Sequence, residues 1–398
     1  MGRRILSAVL ACGLGGLFGL GVLEIGLRVY NPVPLPIRGK QISLPVRKHV
    51  VYHNPVQSEK VDPVIEVTRN GLGFRGPDPP ADFDAHLTFV AVGGSTTECR
   101  FLSDGKTWPD RVAARLSESF ESTWVNNAGL DGHSTFGHRV LLDQVLLELE
   151  PDYLLFLVGV NDVGRDDVNE YDATLDPELA SLRDRVIRAS ELLSTVQVLV
   201  RSLRATELGL EHLWELDLTE EPAAPVVEEE IVAAVARHER DLVPGYGRRL
   251  ADLVRTAREA GIEPILITQP VLWSEGPDAA TGVPIGPLVY GDQTAAMRSR
   301  VLDAYNREAR RVGAAHGVLV IDAGRGMPKD SRLYYDWMHY SNAGAERMAE
   351  IVSDTLIPWL RSREEPARLA RRAAPPARPT TRPRPPESPN RAYRPRTH

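Results

Sequence analysis

Short apolar runs alternate with helical patterns from residue 86 onwards, and this alternation restricts the possible folds more than any other feature. Five runs have the length and composition of buried strands: Leu87–Gly93, Thr123–Ala128, Tyr153–Gly159, Glu263–Thr268 and Val318–Asp322. Helices are predicted at about Trp108–Phe120, Gly137–Leu149, Glu228–Glu259 with a break near Pro244, Gln293–Ala315, and from Ser341 onwards. This alternation predicts an α/β fold with a five-stranded parallel sheet that is covered by helices on both faces.

The N-terminus carries nineteen residues without a charge, Ile5–Leu23, which is just long enough to span a bilayer as a helix. Arg3 and Arg4 precede this stretch and favour a cytoplasmic N-terminus, which would place the rest of the chain outside the cytoplasm. A cleaved signal peptide has a similar composition. No clear A-x-A cleavage site occurs before Pro32, so we favour an uncleaved, single-pass transmembrane anchor. Lipidation of Cys12 is a minor alternative.

Composition divides the chain into four predicted parts. These are an anchor at 1–28, a Pro-rich stalk with a lead-in hairpin at 29–85, an α/β domain at 86–362, and a disordered Arg/Pro-rich tail at 363–398. Residues 361–398 carry eleven Arg and three Glu, a charge of +8, so −15 remains on residues 1–360 of a chain whose net charge is −7. The acidic domain has no basic footprint for nucleic acid. The tail suits an anionic surface or acts as a solvated spacer.

Residues 166–243 are more than an ordinary crossover between strands needs, and we interpret them as an insertion. They contain an apolar or amphipathic segment at 190–216, followed by the acidic run EEPAAPVVEEE. An additional helical layer is slightly favoured. A lid over the site and a membrane-facing flap are the alternatives that the sequence leaves open.

Polar residues follow the predicted strands at the edge where parallel sheets bind ligands. Ser95 follows the two glycines that end the first strand, in GGSTT, and the glycine-rich loop NNAGLDGHST follows the second strand. Asn161 follows the third strand in GVND, and Asp336 lies three residues before His339 in a loop after the fifth. Taken alone, Ser95 reads as a helix N-cap. Taken together, these residues supply the nucleophile, base, carboxylate and oxyanion donor that acyl transfer needs.

The four blocks, in this order and over about Leu87–Leu360, resemble the SGNH (GDSL-like) hydrolase family. The resemblance implies a flavodoxin-like three-layer α/β/α sandwich and a serine esterase or acyltransferase that uses no metal and no cofactor. It further implies that Ser95 is the nucleophile, that His339 is the base, and that Asp336 orients His339.

The resemblance also implies an oxyanion hole built from the backbone amides of Ser95 and a glycine of the second block, with the side-chain amide of Asn161. Gly129 and Gly132 are both candidates for that glycine. The donor glycine of the family commonly lies five residues after the Asn of the block, which points from Asn127 to Gly132. Gly129 is expected to help the turn.

Other residues near these blocks suggest no second chemistry. Gly94 stands where the family usually has an aspartate, which removes a carboxylate that often braces the turn and leaves the substrate class more open. For His133 and His138 we favour a surface or helix-capping role over the alternative of a substrate contact, and we expect a small packed role for Cys99. No spacing of potential ligands matches a metal centre, and no phosphate-binding glycine loop occurs, so neither a metal nor a nucleotide is predicted.

These features predict a membrane-anchored, extracytoplasmic serine esterase that acts through an acyl-enzyme on Ser95. Such a location favours an O-acyl group of an envelope polysaccharide, or an acyl lipid, as the substrate. An O-acyltransferase with the same triad is one alternative, since water or an alcohol can resolve an acyl-enzyme. A catalytically silent envelope scaffold is another, although a scaffold has no need of Ser95, Asn161, Asp336 and His339.

Overall fold

A parallel sheet of five strands forms the centre of the protein, whose computed structural model describes residues 2–31, 33, 37–38, 41–165, 172, 181–207 and 215–373. The strands are, in chain order, β1 Ile37–Arg38, β2 Gln41–Ile42, β3 His49–Tyr52, β4 Ile65–Thr68, β5 Leu87–Gly93, β6 Thr123–Asn127, β7 Tyr153–Leu157, β8 Glu263–Ile267, β9 Val289–Tyr290, β10 Gln293–Thr294 and β11 Val320–Ile321. The central sheet has the order β11–β8–β7–β5–β6, and all of its pairs are parallel. These are the five strands predicted from the sequence, so that prediction is confirmed.

Helices cover both faces of the central sheet. They are, in chain order, α1 Gly2–Val29, α2 Ser95–Glu98, α3 Trp108–Ser117, α4 Thr135–Leu141, α5 Leu147–Leu149, α6 Leu182–Ala189, α7 Glu191–Glu207, α8 Glu228–Asp241, α9 Val243–Glu259, α10 Ala295–His316, α11 Ala323–Gly326 and α12 Asn342–Ala373. Helices α3 and α12 pack together, and α4, α8, α9 and α10 form a second packed group. The predicted three-layer α/β/α sandwich is confirmed.

The strand order places a ligand crevice beside β5. From one edge to the other, the order of the central strands along the chain is second, first, third, fourth and fifth, which is the flavodoxin-like order. The direction of winding reverses between β5 and β7, and sheets of this kind bind ligands beyond the carboxyl ends of the strands at such a reversal. Ser95 follows β5 and Asn161 follows β7, so both lie at this point.

Strand β5 is completely enclosed, which makes it a rigid support for Ser95. Phe89, Val90, Ala91 and Val92 have no exposed surface. Full burial of a large apolar side chain contributes about 1.5–3 kcal/mol relative to leaving it exposed. Side chains on both faces of β5 are apolar because helices cover both sides of the sheet.

Residues 49–85 pack into the core of the α/β domain, whereas we predicted a stalk with a lead-in hairpin at 29–85 that precedes the domain. Strands β3 and β4 form an antiparallel hairpin, earlier in the chain than the turn signals at 67–80 indicated. Val56, Ile65 and Phe74 are buried in the main core. The segment was misjudged because its few apolar residues are widely spaced and show no helical or strand periodicity over a long window.

Helix α1 contains an 18-residue window, Cys12–Val29, that is long and apolar enough to cross a membrane. None of this window is buried inside the protein. By length and composition, α1 is therefore a candidate membrane span. A signal sequence near an N-terminus has the same properties.

The structure describes part of the predicted insertion and part of the predicted tail. Helices α6, α7 and α8 lie within 166–243, which agrees with a helical insertion. Residues 166–171, 173–180 and 208–214 of this segment lie outside the described residues. Helix α12 continues to Ala373, past the boundary that we predicted at residue 362, and 374–398 of the predicted tail lie outside the described residues.

Candidate active site

Ser95, His339 and Asp336 form one hydrogen-bonded chain at the carboxyl edge of the sheet. Atom Nε2 of His339 lies 2.8 Å from Oγ of Ser95, and Nδ1 of His339 lies 2.6 Å from Oδ2 of Asp336. Ser95 begins α2, whereas Asp336 and His339 lie in the loop before α12. The fold therefore brings together three residues that are far apart in sequence, in the arrangement that a serine–histidine–carboxylate relay requires.

The Asp336 carboxylate is fixed by its own loop. Its Oδ1 atom accepts the backbone N–H of Met338 at 2.9 Å and that of His339 at 2.7 Å, so Oδ2 is directed to the His339 ring. The Tyr335 ring stacks on the His339 ring, with centroids 5.7 Å apart and an interplanar angle of 13°. Both contacts restrict rotation of the His339 ring and keep Nε2 directed at Ser95.

Glycines allow the chain to pack closely around Ser95. A Cβ atom on Gly93 would lie 2.2 Å from Oγ1 of Thr97. A Cβ atom on Gly129 would lie 2.2 Å from the backbone nitrogen of Glu98. Neither position has room for a side chain, which agrees with the expectation that Gly129 helps the turn.

Three candidate oxyanion donors lie in the turns after β5, β6 and β7. The backbone N–H groups of Ser95 and Gly132 make no hydrogen bond to another described residue. Gly132 has a φ of 71°, a conformation that favours glycine. Nδ2 of Asn161 donates to the backbone oxygen of His133 at 2.9 Å, and its second N–H is available to a ligand. The structure thus links the Asn161 turn to the loop that contains Gly132.

Gly94 leaves the space that the Asn161 amide occupies. A Cβ atom at residue 94 would lie 2.2 Å from Nδ2 of Asn161 and 3.2 Å from the backbone oxygen of His133. A side chain at residue 94 would therefore have to displace the Asn161 amide from this position.

We expect Gly94→Ala to displace the Asn161 amide and to lower kcat by up to about 10³-fold, the effect of losing one oxyanion donor. Steady-state kinetics with a chromogenic ester will measure this. Gly276→Ala is the control, since a Cβ atom there contacts only Oγ of Ser274, at 3.7 Å. A Gly94→Ala protein with unchanged kcat would contradict the steric coupling to Asn161.

Arg75 supports the turn that carries Ser95, and sequence reasoning missed it. Its guanidinium donates to the backbone oxygens of Glu98 at 3.0 Å, Cys99 at 2.7 Å and Leu102 at 2.7 Å. The Arg75 side chain is buried, and buried carbonyl groups need a hydrogen-bond partner, which Arg75 provides here in place of water. The surrounding TRNGLGFR segment shows only turn signals, and nothing local marks this arginine as buried.

His133 and His138 are buried, so the surface position that we expected as one of two roles is wrong for both. Only 5% of His133 and 1% of His138 is exposed, and their ring centroids are 6.2 Å apart. Burial lowers the pKa of both, and that of His138 falls to about 4. Both rings are therefore neutral at pH 7. The reason is that six of the seven residues of α4 are buried, so this helix and the residues before it pack inside the domain.

Asp162 connects the turn after β7 to the start of α4. Its Oδ1 atom accepts the hydroxyl of Thr135 at 2.5 Å and lies 3.3 Å from Nη2 of Arg249. Asp162 has no exposed surface, and burial raises its pKa to about 6 against the opposing effect of Arg249. GVND placed Asp162 beside Asn161, but the sequence alone indicated no role for it.

The described residues contain no group of three His, Cys, Asp or Glu side chains that could hold a metal ion. Cys99 is buried, as expected for a small packed residue. Burial raises its pKa to about 12, so its thiol is protonated at neutral pH and is a poor nucleophile.

The last part of the insertion runs along the loop that carries His339. The backbone N–H of Leu216 donates to the backbone oxygen of Tyr335 at 2.9 Å. Glu215 forms an ion pair with Lys60 at 2.9 Å. Further along, Val289 of β9 donates to the backbone oxygen of Pro222 at 2.8 Å. These contacts support the Tyr335–His339 stack from outside the central sheet.

Residues 91–347 match the GDSL-like lipase/acylhydrolase family, and this stretch includes the triad and Asn161. The matched range is more than half of the 398 residues. The chain belongs to this family. It is therefore an SGNH-type serine hydrolase that acts on esters. No curated protein sequence matches the chain.

Three of the solved structures that match this chain have low sequence identity to it. A catalytic mutant of Axe2, an acetylxylan esterase from Geobacillus stearothermophilus, is 16% identical with a TM-score of 0.40, and the match covers 68% of this chain and 93% of that one. LAE5, an alpha/beta hydrolase enzyme from the metagenome of Lake Arreo, Spain, is 19% identical with a TM-score of 0.39, covering 68% and 94%. A protein from Desulfitobacterium hafniense DCB-2 that is assigned to the G-D-S-L family is 15% identical with a TM-score of 0.36, covering 68% and 100%.

Proposed function

We propose that this esterase is anchored in the membrane by α1, acts outside the cytoplasm, and forms an acyl-enzyme on Ser95. The observation that carries the catalytic part is the chain from Ser95 through His339 to Asp336, with separations of 2.8 Å and 2.6 Å. A hydroxyl is a weak nucleophile until a base takes its proton, and Nε2 of His339 lies within hydrogen-bonding distance of that proton.

The proposed reaction has two halves. Oγ of Ser95 attacks the ester carbonyl carbon while Nε2 of His339 takes the hydroxyl proton, and the Asp336 carboxylate stabilises the imidazolium. The developing oxyanion accepts hydrogen bonds from the N–H groups of Ser95 and Gly132 and from Nδ2 of Asn161. Collapse of the tetrahedral intermediate expels the alcohol, which takes the proton from His339. A water then gives a proton to Nε2 of His339 as it attacks the acyl carbon. When this second tetrahedral intermediate collapses, the bond to Oγ of Ser95 breaks, His339 returns the proton to Oγ, and the acid is released.

Contacts between α1 and the insertion support the anchor. Glu24 is the first charged residue after the apolar run, and its Oε2 atom accepts the hydroxyl of Ser190 at 2.7 Å and the N–H of Leu192 at 3.0 Å. Its Oε1 atom accepts the N–H of Glu191 at 3.1 Å. These bonds satisfy the backbone N–H groups at the start of α7 and connect the insertion to the end of α1.

The location proposed for the domain limits the substrates that it meets. We propose an O-acyl group of an envelope polysaccharide or an acyl lipid, because both present an ester next to the outer face of a membrane. Family membership as a serine hydrolase, together with the assembled triad, counts against a catalytically silent scaffold.

The test of this proposal is labelling of the detergent-solubilised full chain with a fluorophosphonate probe. We expect the probe to modify Ser95, as mapped by peptide mass spectrometry, and we expect labelling to be lost in Ser95→Ala and His339→Ala. Circular dichroism of each variant will establish that its fold is retained. A folded wild-type protein that is not labelled, or that is labelled at another serine, would refute the acyl-enzyme on Ser95.

A further inference from the structure

An oxyanion hole works only if its donors are held at fixed positions before the charge develops. Here the donors come from different turns: Gly132 from the loop after β6, and Asn161 from the turn after β7. Their separation therefore depends on what joins these two turns. The bond from Nδ2 of Asn161 to the backbone oxygen of His133 is one link, and it is a single contact of 2.9 Å.

Asp162 supplies the second link. Its Oδ1 atom accepts the Thr135 hydroxyl at 2.5 Å, and both of its carboxylate oxygens lie 3.2 Å from the Thr135 backbone nitrogen. Thr135 begins α4, only three residues after Gly132. Asp162 immediately follows Asn161, so one carboxylate joins the two segments that carry the proposed donors.

Arg249 closes this arrangement from α9. Its Nε atom donates to Oγ1 of Thr135 at 2.8 Å, and Nη2 donates to the backbone oxygen of Arg165 at 3.1 Å. Its guanidinium carbon lies 4.1 Å from the centre of the Phe136 ring. The hydrogen bonds between Asp162 and Thr135 therefore lie beside the Arg249 guanidinium, which itself packs on the Phe136 ring. This leaves the two side chains little freedom to rearrange.

We propose that Asp162 is a positioning residue, which holds the Asn161 amide in register with the Gly132 loop through its hydrogen bonds to Thr135. This role rests on the proposed part that Asn161 plays in the oxyanion hole. Asp162 itself touches no reacting atom. It acts on the transition state through the placement of Asn161.

The charges around Asp162 argue against a role in stability alone. Arg249 is the cation that faces it, while Asp172 lies near enough to disfavour its negative charge. Asp162 in turn helps to raise the pKa of the buried Tyr246 hydroxyl, which is therefore neutral. Burial raises the pKa of Asp162 to about 6, above the ordinary value of 3.8. A carboxyl group whose pKa is raised by folding destabilises the folded protein as pH rises through that pKa. An uncharged amide of the same shape should thus fold at least as well at pH 8.

The test measures kcat and thermal stability of Asp162→Asn at pH 8. We expect kcat to fall by about tenfold to a hundredfold, the effect of a small misplacement of a reacting group. The melting temperature should stay the same or rise. Thr135→Val removes the hydroxyl bond from the other side and should lower kcat in the same way, whereas Thr135→Ser should retain most of the activity.

Asp152→Asn is the matched control. Asp152 accepts the N–H and the hydroxyl of Thr88 at 2.9 Å and 2.8 Å, the same type of pair, but at the amino ends of β5 and β7. We expect its kcat to equal that of the wild type. This comparison separates loss of an Asp–Thr pair in general from loss of the pair beside Asn161.

A double-mutant cycle with Asn161→Ala decides the matter. If Asp162 acts through Asn161, then Asp162→Asn and Thr135→Val should change kcat by less than about twofold in the Asn161→Ala background. Equal losses of kcat in both backgrounds would overturn the positioning role. Full activity of Asn161→Ala on its own would instead refute the oxyanion hole, so the two failures are distinguishable. If Asp162→Asn does not fold, the same cycle can be made with Thr135→Val and Asn161→Ala, with Thr135→Ser as the conservative control.

Discussion

Asp336→Asn is expected to lower kcat by about 10⁴-fold while the protein remains folded, as for the equivalent change in a serine protease triad. Oδ1 of Asp336 accepts two backbone N–H groups, from Met338 and His339, so an asparagine would place its oxygen there. Its NH₂ group would then point at Nδ1 of His339. That nitrogen would have to be the acceptor, which puts the ring proton on Nε2 and leaves no base for Ser95.

The tautomer can be measured directly. Nitrogen-15 NMR of labelled histidine should show His339 protonated at Nδ1 in the wild type and at Nε2 in Asp336→Asn. Fluorophosphonate labelling should fall in parallel with kcat. An Asp336→Asn protein whose kcat is within tenfold of the wild type would show that Asp336 does not set the tautomer of His339.

The central sheet could be predicted from the sequence because its strands carry their own signal. Strand β5 is a continuous apolar run, and it ends at a glycine pair, so both its existence and its end were visible. Parallel strands place their carboxyl ends at one edge, and that rule alone predicted that Ser95 and Asn161 lie together. Asp336 and His339 were predicted in a loop after the fifth strand that can reach this edge, and the structure brings His339 within hydrogen-bonding distance of Ser95.

Parts of the site that depend on contacts between distant segments could not be predicted. Arg75 reaches the carbonyl groups of Glu98 and Cys99 from a segment that we interpreted as a lead-in hairpin, and no local pattern predicts such a pairing. His133 was expected at the surface because polar residues in a glycine-rich loop usually lie there. It is buried because the start of α4 packs inside the domain, and burial is a property of the assembled layers.

Gly94 shows how a departure from a family pattern acquires meaning from the structure. In the sequence, the missing aspartate meant the loss of a carboxylate that often braces the turn, and it left the substrate class more open. In the structure, a side chain at residue 94 and the Asn161 amide require the same space. A substitution at either position should therefore affect the proposed oxyanion hole.

Asn161→Ala should lower kcat by about 10²–10³-fold, since it removes the only side-chain donor in the proposed oxyanion hole. Charge develops on the carbonyl oxygen only in the transition state, so we expect KM to change little. The affinity for a boronic acid, whose tetrahedral adduct with Ser95 resembles the intermediate, should fall in proportion to kcat. Affinity for a ground-state ester analogue should not fall.

Asn126→Ala is the control for an asparagine whose hydrogen bonds contribute only to stability. Nδ2 of Asn126 also donates to backbone oxygens, those of Pro77 and Val125 at 3.0 Å, and its Oδ1 atom accepts Nδ2 of Asn70 at 2.6 Å. Its loss should cost about 1 kcal/mol of stability for each of these hydrogen bonds, with kcat unchanged. If Asn161→Ala behaved like Asn126→Ala, with lower stability and full kcat, then its bond to His133 would be its whole function, and the oxyanion would have to rely on the amides of Ser95 and Gly132.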